Sequence, residues 1–526
     1  MGAKFGLPGG LRSPELKKDD LAPVFIILIY CVSYAVLRLL ASPAMELDES
    51  EQFLNGASFH LGYAHQAPLY TWIVWLVSLF SGRGLVMLVL IKYSLLFVFY
   101  VSFYLLARHF QGPRESLMVT GCLLLFPIFS YEANRDLSNT VLVAAMTGIS
   151  CLFFLRLLLY GSGLDYLLFG ASCGLGMLSK YNFVFFLLAL FLFGITAAQG
   201  RRVMFNKKIL LSLLCFTGVV LPHFIWLAHD GFPSVRYAYH LSRLGKPKTR
   251  SFLHFVFAAY IEVILFLTVF AVFMGRYVSF RNLFGAKGGN PPGEKDGAGP
   301  LSLSPKGIFP ALALYGLAVP FLGILVFDPA HFQNRWLAPV YFTLPLAGFS
   351  MLKAQVPRAR STSLGYLCLT IAAVVFAVRA VAGFFPDETG RPERIHIPYA
   401  ALSRQLEAGA RKAGIENRRG LPVIAPSEDS YVAANILAVM PGTIYFPLRE
   451  VSLHPEILKD GGIFISTTED YAPLQLQALF PGVIREAVSS PYLHSSILPP
   501  YTLDVLIVSP EDKGFLSASD KNKKGP

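Results

Sequence analysis

The sequence predicts a polytopic α-helical membrane protein with a small C-terminal α/β domain, and three observations carry that prediction. The chain of 526 residues is 54% hydrophobic and 15% charged, with a mean hydropathy of +0.53. Apolar runs of about 20 residues recur along most of it, each long enough to cross a ~30 Å hydrocarbon core. After about residue 386 these runs give way to charged segments with short β-rich stretches. Transmembrane barrels would show short alternating segments instead.

Spans are expected at roughly 23–41, 84–107, 115–130, 138–159, 164–179, 182–198, 209–228, 253–275, 308–327, 335–352 and 363–384. A different split of 164–198, or counting 69–80, sets the range at about 11–13 helices. The stretch 69–80 is short for a span and reads as an interfacial or re-entrant helix. Residues 1–22 form the N-terminus, 23–385 the membrane domain with a first outer loop at 42–83, and 284–306 a Gly/Pro-rich flexible linker. Residues 386–515 form the α/β domain, and 516–526 a disordered tail.

Basic residues set the orientation. With the N-terminus in the cytoplasm, inside segments gather Lys4, Arg12, Lys17 and Lys18, then Arg201, Arg202, Lys207 and Lys208, then Lys353, Arg358 and Arg360. Outside loops carry fewer cations, as the positive-inside rule requires, and Arg236, Arg243, Lys246, Lys248 and Arg250 share one of them. The α/β domain then lies outside, on the same side as Asp48.

The net charge of +12 would suggest nucleic acid in a soluble protein. Its distribution over alternate loops excludes a nucleic-acid partner and implies a lipid bilayer instead. Cys31, Cys122, Cys151, Cys173, Cys215 and Cys368 all lie in apolar runs without CxxC spacing. They read as small core hydrophobes, not disulfides or metal ligands. The run 23–41 is long for a signal h-region, and Ala41-Ser42-Pro43-Ala44 matches a cleavage site weakly, so a retained helix is expected.

In the C-terminal region, strands are expected at 421–425, 462–466 and 503–508, with helices at 399–413, 429–440 and 470–480. Strands alternating with helices predict a small α/β fold.

Polar residues that could carry chemistry cluster in the outer loops. The first loop contains Glu46-Leu47-Asp48-Glu49-Ser50-Glu51-Gln52, then Tyr63, His65 and Gln66. If this segment begins a helix, Asp48 and Gln52 share a face at i,i+4 and Glu49 turns elsewhere. One carboxylate could then meet substrate while its neighbour holds the protein. The plainer alternative is an acid-rich helix start favoured by the macrodipole. The second loop holds Arg135-Asp136, which offers another carboxylate or a local ion pair with a cap. The third, Ser179-Lys180-Tyr181-Asn182, places a lysine that suits phosphate or simply snorkels. The fourth, residues 229–252, mixes Arg236 and other cations with tyrosines, suiting a lipid phosphate or nonspecific anionic lipid. Arg335-Trp336 offers a bidentate phosphate clamp or an interfacial anchor. Lys92 and Glu262 lie within spans, where a charge either serves function or reaches an interface, and Pro222-His223 marks a candidate kink with a packed histidine. The sequence has no P-loop, GxGxxG nucleotide fold or HExxH.

Together these residues resemble the GT-C glycosyltransferases that use polyprenyl- or dolichyl-phosphate sugars, a group that includes protein O-mannosyltransferases and the aminoarabinose transferase ArnT. The closer likeness is to the bacterial Rgt-type (RgtA/B/C/D-like) lipopolysaccharide galacturonosyltransferases. That subgroup's Leu-Asp-Glu-x-Glu-Gln start is met by Leu47 to Gln52, and Gly-Tyr-x-x-Gln-x-Pro-Leu-Tyr by Gly62, Tyr63, Gln66, Pro68, Leu69 and Tyr70. Arg135-Asp136, Leu178 to Asn182, and Pro222-His223 with Trp226 complete the pattern. The likeness covers about residues 23–385. One departure is Ala67, where the family has a first proline that stiffens the loop.

The resemblance implies a polyprenyl-phosphate sugar donor and an envelope glycolipid acceptor such as lipid A or lipopolysaccharide core. Asp48 would be the general base of an inverting transfer, with Glu49 and Asp136 orienting it or the substrate. Gln52, Tyr63, His65, Gln66, Arg135, Lys180, Tyr181, Arg236 and Arg335 would bind substrate or phosphate. No cofactor is required; a divalent metal, if used, would sit on Asp48 and Asp136. The competing readings are a lipid-linked-sugar transporter or flippase, which would place its site at midplane between repeats, a protein O-mannosyltransferase-type enzyme, and a non-catalytic membrane scaffold.

Overall fold

Apolar periodicity becomes helix along most of the chain. The computed structural model describes residues 18–63, 66–233, 236, 248–278, 305–327, 333–352, 356–415, 420–458, 460–467 and 483–509. The main helices of the first 384 residues are α1 (Leu21–Ala41), α2 (Leu47–Asn55), α3 (Leu69–Ser81), α4 (Leu85–Arg108), α5 (Pro113–Gly121), α6 (Ser138–Leu159), α7 (Gly163–Ser179), α8 (Phe183–Thr196), α9 (Ile209–His229), α10 (Lys248–Met274), α11 (Pro305–Phe327) and α12 (Arg358–Phe384).

Among the described residues, six helices are long and apolar enough to span, or up to eight if each of two bent pairs counts as one. The expected span 115–130 is one such pair: Pro113–Leu125 and Ile128–Arg135 meet at 91°. The cause is Pro127, because the residue before a proline is pushed out of the helical region, and Phe126 is extended at φ −99°, ψ 116°. The expected span 182–198 ends at Thr196, where the following helix Ala198–Met204 turns by 104°. The expected span 335–352 is broken into Asn334–Leu337, Ala338–Tyr341 and Thr343–Ser350. The stretch expected to lie at the interface is the 13-residue α3. Lys92 and Glu262 are each 1% exposed, so neither snorkels to an interface.

The chain folds as two compact units. The first comprises residues up to Ala35, Phe59–Ile73 and Leu90–Ala377. Small residues let its helices approach closely: a Cβ on Gly170 of α7 would stand 2.2 Å from the Ser212 carbonyl oxygen of α9. Four residues on, a Cβ on Gly174 would stand 2.8 Å from Val219 Cβ. The start of α1 is pinned to the end of α4 by Arg108 Nε, 2.6 Å from Asp20 Oδ1.

The second unit comprises Val36–Ser58, Val74–Val89 and the chain from Val378 onward. It adds α13 (Tyr399–Lys412), α14 (Ser430–Val439) and strands β1 (Leu421–Ala425), β2 (Thr443–Pro447), β3 (Gly462–Ser466), β4 (Ile484–Ser490) and β5 (Tyr501–Val508). The sheet order is β2-β1-β3-β5-β4. β1 pairs in parallel with β2 and β3, whereas β5 runs antiparallel to β3 and β4. β1 and β3 are buried at every position, as expected of strands covered on both faces. α13 and α14 supply Leu402, Leu406, Val432 and Ile436 to the main core, and Ala44 from the first outer loop packs there too. The expected helix at 470–480 lies outside the described residues.

Candidate functional site

The expected helical start of the first outer loop is α2, and its two adjacent acids have different surroundings. Glu49 is 2% exposed, whereas Asp48 is half-buried. Arg38, near the end of α1, grips Glu49 at two points: Nε donates to Oε1 at 3.2 Å and Nη2 to Oε2 at 2.6 Å. Glu49 Oε2 also accepts the backbone N–H of Glu46 at 2.9 Å. Glu49 is therefore committed to holding the helix start, while Asp48, one residue earlier, points in another direction. Gln52, on the Asp48 face by spacing, is fully buried.

Within this second unit, α2 is docked onto α14 by Asn435. Its Oδ1 accepts the Met45 N–H at 2.7 Å, and its Nδ2 donates to the Met45 carbonyl at 3.2 Å and to Ser50 Oγ at 3.3 Å. Arg83 donates to the Phe53 carbonyl at 3.2 Å and lies 5.0 Å from the centre of the Phe53 ring. Glu46 is 4% exposed. Burial first, and then the Glu49 carboxylate, push its carboxyl up to about 7, against the pull of Arg38.

The other candidates lie in the first unit, and the opening turn of α6 joins several of them. Asn139 Nδ2 donates to Gln66 Oε1. On the next residue, Thr140 Oγ1 accepts from Lys180 Nζ at 2.7 Å. Asp136 is buried just upstream, with its N–H donating to the Glu132 carbonyl at 3.0 Å. Leu137, between Asp136 and α6, adopts a left-handed backbone at φ 63°. A branched residue there is strained, and such outliers gather at functional sites. Arg135 lies 3.8 Å from Glu132, with both side chains partly exposed.

Tyr181 belongs to a second chain of contacts. Its hydroxyl lies 2.9 Å from His223 Nε2, and His223 Nδ1 lies 2.9 Å from the Leu61 carbonyl oxygen. That carbonyl can only accept, so Nδ1 carries a proton, and the neutral ring takes the Tyr181 O–H at Nε2. His223 is fully buried and stacks on Trp226, with centroids 5.7 Å apart. α9 runs through Pro222 as one helix. Trp226 in turn covers Gly62: a Cβ there would fall 2.0 Å from the indole. Tyr63 is buried, and its hydroxyl accepts the His60 N–H at 3.3 Å.

Arg335 is half-buried, and its Nε donates to Gln333 at 2.7 Å. The neighbouring Trp336 carbonyl accepts from Asn182 Nδ2 at 2.8 Å. Asn334 donates to Glu262 at 2.7 Å, and the other Glu262 oxygen accepts the Ile128 N–H at 3.1 Å. Glu262 thus ties the Arg335 segment to the turn leading into Arg135-Asp136. Arg236 is exposed, its N–H donating to the Phe232 carbonyl at 2.9 Å. His65 lies outside the described residues. Among the described residues, no group of three or more His, Cys, Asp or Glu could hold a metal ion.

Sequence reading passed over Arg38 and Asn435, and it named Glu46 in the acidic cluster without giving it a role. Arg38 carried a signal: a charge within an apolar run calls for a partner. Asn435 carried none, because its partner Met45 lies 390 residues away.

The chain has known relatives. Residues 65–226 match the model of the dolichyl-phosphate-mannose-protein mannosyltransferase family. The chain is 27% identical over 454 residues to the lipopolysaccharide core galacturonosyltransferase RgtB of Rhizobium johnstonii, covering 84% of this chain and 86% of that one. It is 26% identical over 436 residues to RgtA of the same organism, covering 79% and 80%. The crystal structure of ArnT from Cupriavidus metallidurans bound to undecaprenyl phosphate superposes with a TM-score of 0.57 at 14% identity, covering 92% of this chain and 97% of ArnT. The apo form gives a TM-score of 0.54. The chain is a multi-pass membrane glycosyltransferase with the ArnT-like GT-C fold.

Proposed function

We propose that the chain transfers a glycuronosyl residue, galacturonic acid by analogy with RgtA and RgtB, from a polyprenyl-phosphate donor to a lipopolysaccharide-core-type glycolipid. The reaction takes place at the periplasmic face of a bacterial inner membrane, with the N-terminus in the cytoplasm. The acceptor hydroxyl oxygen attacks the anomeric carbon and its proton passes to Asp48. The bond from that carbon to the phosphate oxygen breaks, and polyprenyl phosphate leaves with inversion at the sugar. Lys180, Arg335 and Arg236, in that order of importance, offset the charge on the leaving phosphate. Asp136 and Glu49 act as positioning residues, and Gln52, Tyr63, Gln66, Arg135 and Tyr181 bind substrate. No divalent metal is required.

The observation that carries this reading is the division of labour on α2. Arg38 and the Glu46 N–H hold Glu49, which fixes the backbone from which the half-buried Asp48 projects. The GT-C relatives support sugar transfer from a lipid phosphate.

The test is mass spectrometry of lipid A and core oligosaccharide from a deletion strain complemented with wild type or Asp48→Asn. The expected result is loss of one hexuronate mass, restored by wild type but not by Asp48→Asn at equal membrane abundance. Restoration by Asp48→Asn would exclude Asp48 as the base. An unchanged glycolipid profile would exclude this acceptor and favour a protein acceptor or a flippase.

A further inference from the structure

The first unit contains a cavity of about 840 Å³ that none of the candidate site residues lines. It runs between α1, α5 and α12, at the end of the bundle where α1 and α12 begin. Its mouth carries Arg114, at the start of α5, and Arg358, the first residue of α12. Arg114 Nη2 reaches Thr362 Oγ1 at 3.4 Å, which brings the two helix starts to the same place. Glu115 also lines the mouth, leaving two guanidinium groups against one carboxylate.

Apolar side chains of the three helices make the walls, and Tyr30 and Tyr100 make the floor. The floor is closed: the two rings pack edge to face at 5.5 Å, Tyr30 OH accepts from Asn134 at 3.0 Å, and Tyr100 OH donates to the Phe129 carbonyl at 3.1 Å. Along α12 the lining extends from Arg358 to Ala372, about 21 Å at 1.5 Å per residue. One leaflet of hydrocarbon is about 15 Å deep. The groove therefore has the depth of one leaflet with its headgroup region, cationic at the surface and apolar inside.

We propose that this groove binds an anionic glycerophospholipid. The phosphate meets Arg114 and Arg358, and the acyl chains lie along α1 and α12 down to the tyrosine floor. Paired guanidiniums suit phosphate oxygens, and their excess over Glu115 selects an anionic headgroup over a zwitterionic one. One-leaflet depth suits a glycerophospholipid better than a long polyprenyl chain. Under the orientation proposed above, the lipid comes from the cytoplasmic leaflet, opposite the proposed reaction. The site rests on the membrane fold and not on the assignment of donor or acceptor.

Gly365 of α12 provides an independent handle. It lines the groove, and a Cβ there would meet nothing within 4 Å. Gly365→Leu therefore fills the acyl region while leaving both arginines in place.

The test titrates the full-length chain in detergent with phosphatidylglycerol or phosphatidylcholine of matched acyl chains. Thermal melting and native mass spectrometry are the readouts. Phosphatidylglycerol is expected to raise the melting temperature more than phosphatidylcholine does and to remain bound at one lipid per chain. The double variant Arg114→Gln/Arg358→Gln should lose the difference between the two lipids. Gly365→Leu should weaken phosphatidylglycerol retention by about tenfold, or 1.4 kcal/mol, with melting in lipid-free detergent unchanged. Equal effects of the two lipids on wild type, or equal phosphatidylglycerol retention by wild type and both variants, would overturn the proposal. Preferential retention of added undecaprenyl phosphate would overturn it as well, since the groove would then be a carrier site.

Discussion

Arg38 and Glu49 form a buried two-point ion pair across the junction of α1 and α2, with side chains 4% and 2% exposed. Nε and Nη2 of one meet Oε1 and Oε2 of the other. Removing one partner leaves an uncompensated buried charge, a loss of about 3–5 kcal/mol. Glu49→Ala and Arg38→Ala should each lower the melting temperature of the purified protein sharply. The double variant Arg38→Met/Glu49→Met should be more stable than either single variant, because no lone charge remains. Additive losses in this cycle would show that the pair does not act as a unit.

Glu46 makes the stability of the same region depend on pH. Its carboxyl is raised from 4.5 to about 7 in the folded chain, so the folded form binds the proton more tightly than the unfolded form does. The resulting stabilisation is full below about pH 4.5 and is lost as pH rises through about 7. A glutamine mimics the neutral acid at every pH. The melting temperature of Glu46→Gln minus that of wild type should therefore rise between pH 5 and pH 8.5. A difference that stays flat would mean that Glu46 is already ionised at pH 5.

The central strands were legible in the sequence because burial on both faces writes a continuous apolar run. Gly462-Ile463-Phe464-Ile465 is such a run and forms β3. The two strands that were not legible, β2 and β4, are the edges of the sheet. Thr443-Ile444-Tyr445-Phe446-Pro447 is partly exposed and ends in proline, and β4 begins Ile484-Arg485-Glu486, the charged character of edge strands. In the membrane domain, apolarity located helices but not their breaks, although Phe126-Pro127 carried that information. At the candidate site, i,i+4 spacing separated Asp48 from Glu49. It could not supply the partners, because Arg38 and Asn435 reach α2 through tertiary packing that no local pattern encodes.

Gly62 should tolerate no side chain. Its Cβ would overlap the Trp226 ring at 2.0 Å, and the Leu61 carbonyl beside it is held by His223. Gly62→Ala therefore has to displace either the indole or the first outer loop. Transfer should fall by at least about tenfold with membrane abundance retained. Trp226→Leu, introduced with Gly62→Ala, frees the space and should restore part of the activity. If Gly62→Ala alone is fully active in a membrane transfer assay, the close approach has no bearing on the site. His223→Phe keeps the ring but removes both hydrogen bonds, and it should reproduce the loss, since neither Tyr181 nor Leu61 would then be held.

Lys180 is the strongest candidate to meet the leaving phosphate. Its ammonium is already oriented by Thr140 Oγ1 at 2.7 Å, beside the start of α6, where the helix dipole favours an anion. A pre-oriented cation acts mainly in the transition state, as negative charge builds on the departing oxygen. Lys180→Met should then lower kcat by about 10²–10³ with a smaller change in KM. Lys180→Arg should recover part of the rate, because charge survives while the compact ammonium geometry does not. Thr140→Val removes the orienting oxygen but keeps the shape, so its effect should be smaller than that of Lys180→Met and should fall on kcat as well. Adding EDTA should leave wild-type turnover unchanged if these side chains rather than a divalent ion carry the phosphate charge. A rise in KM alone for Lys180→Met would assign the lysine to ground-state donor binding, and the leaving-group role would then pass to Arg335.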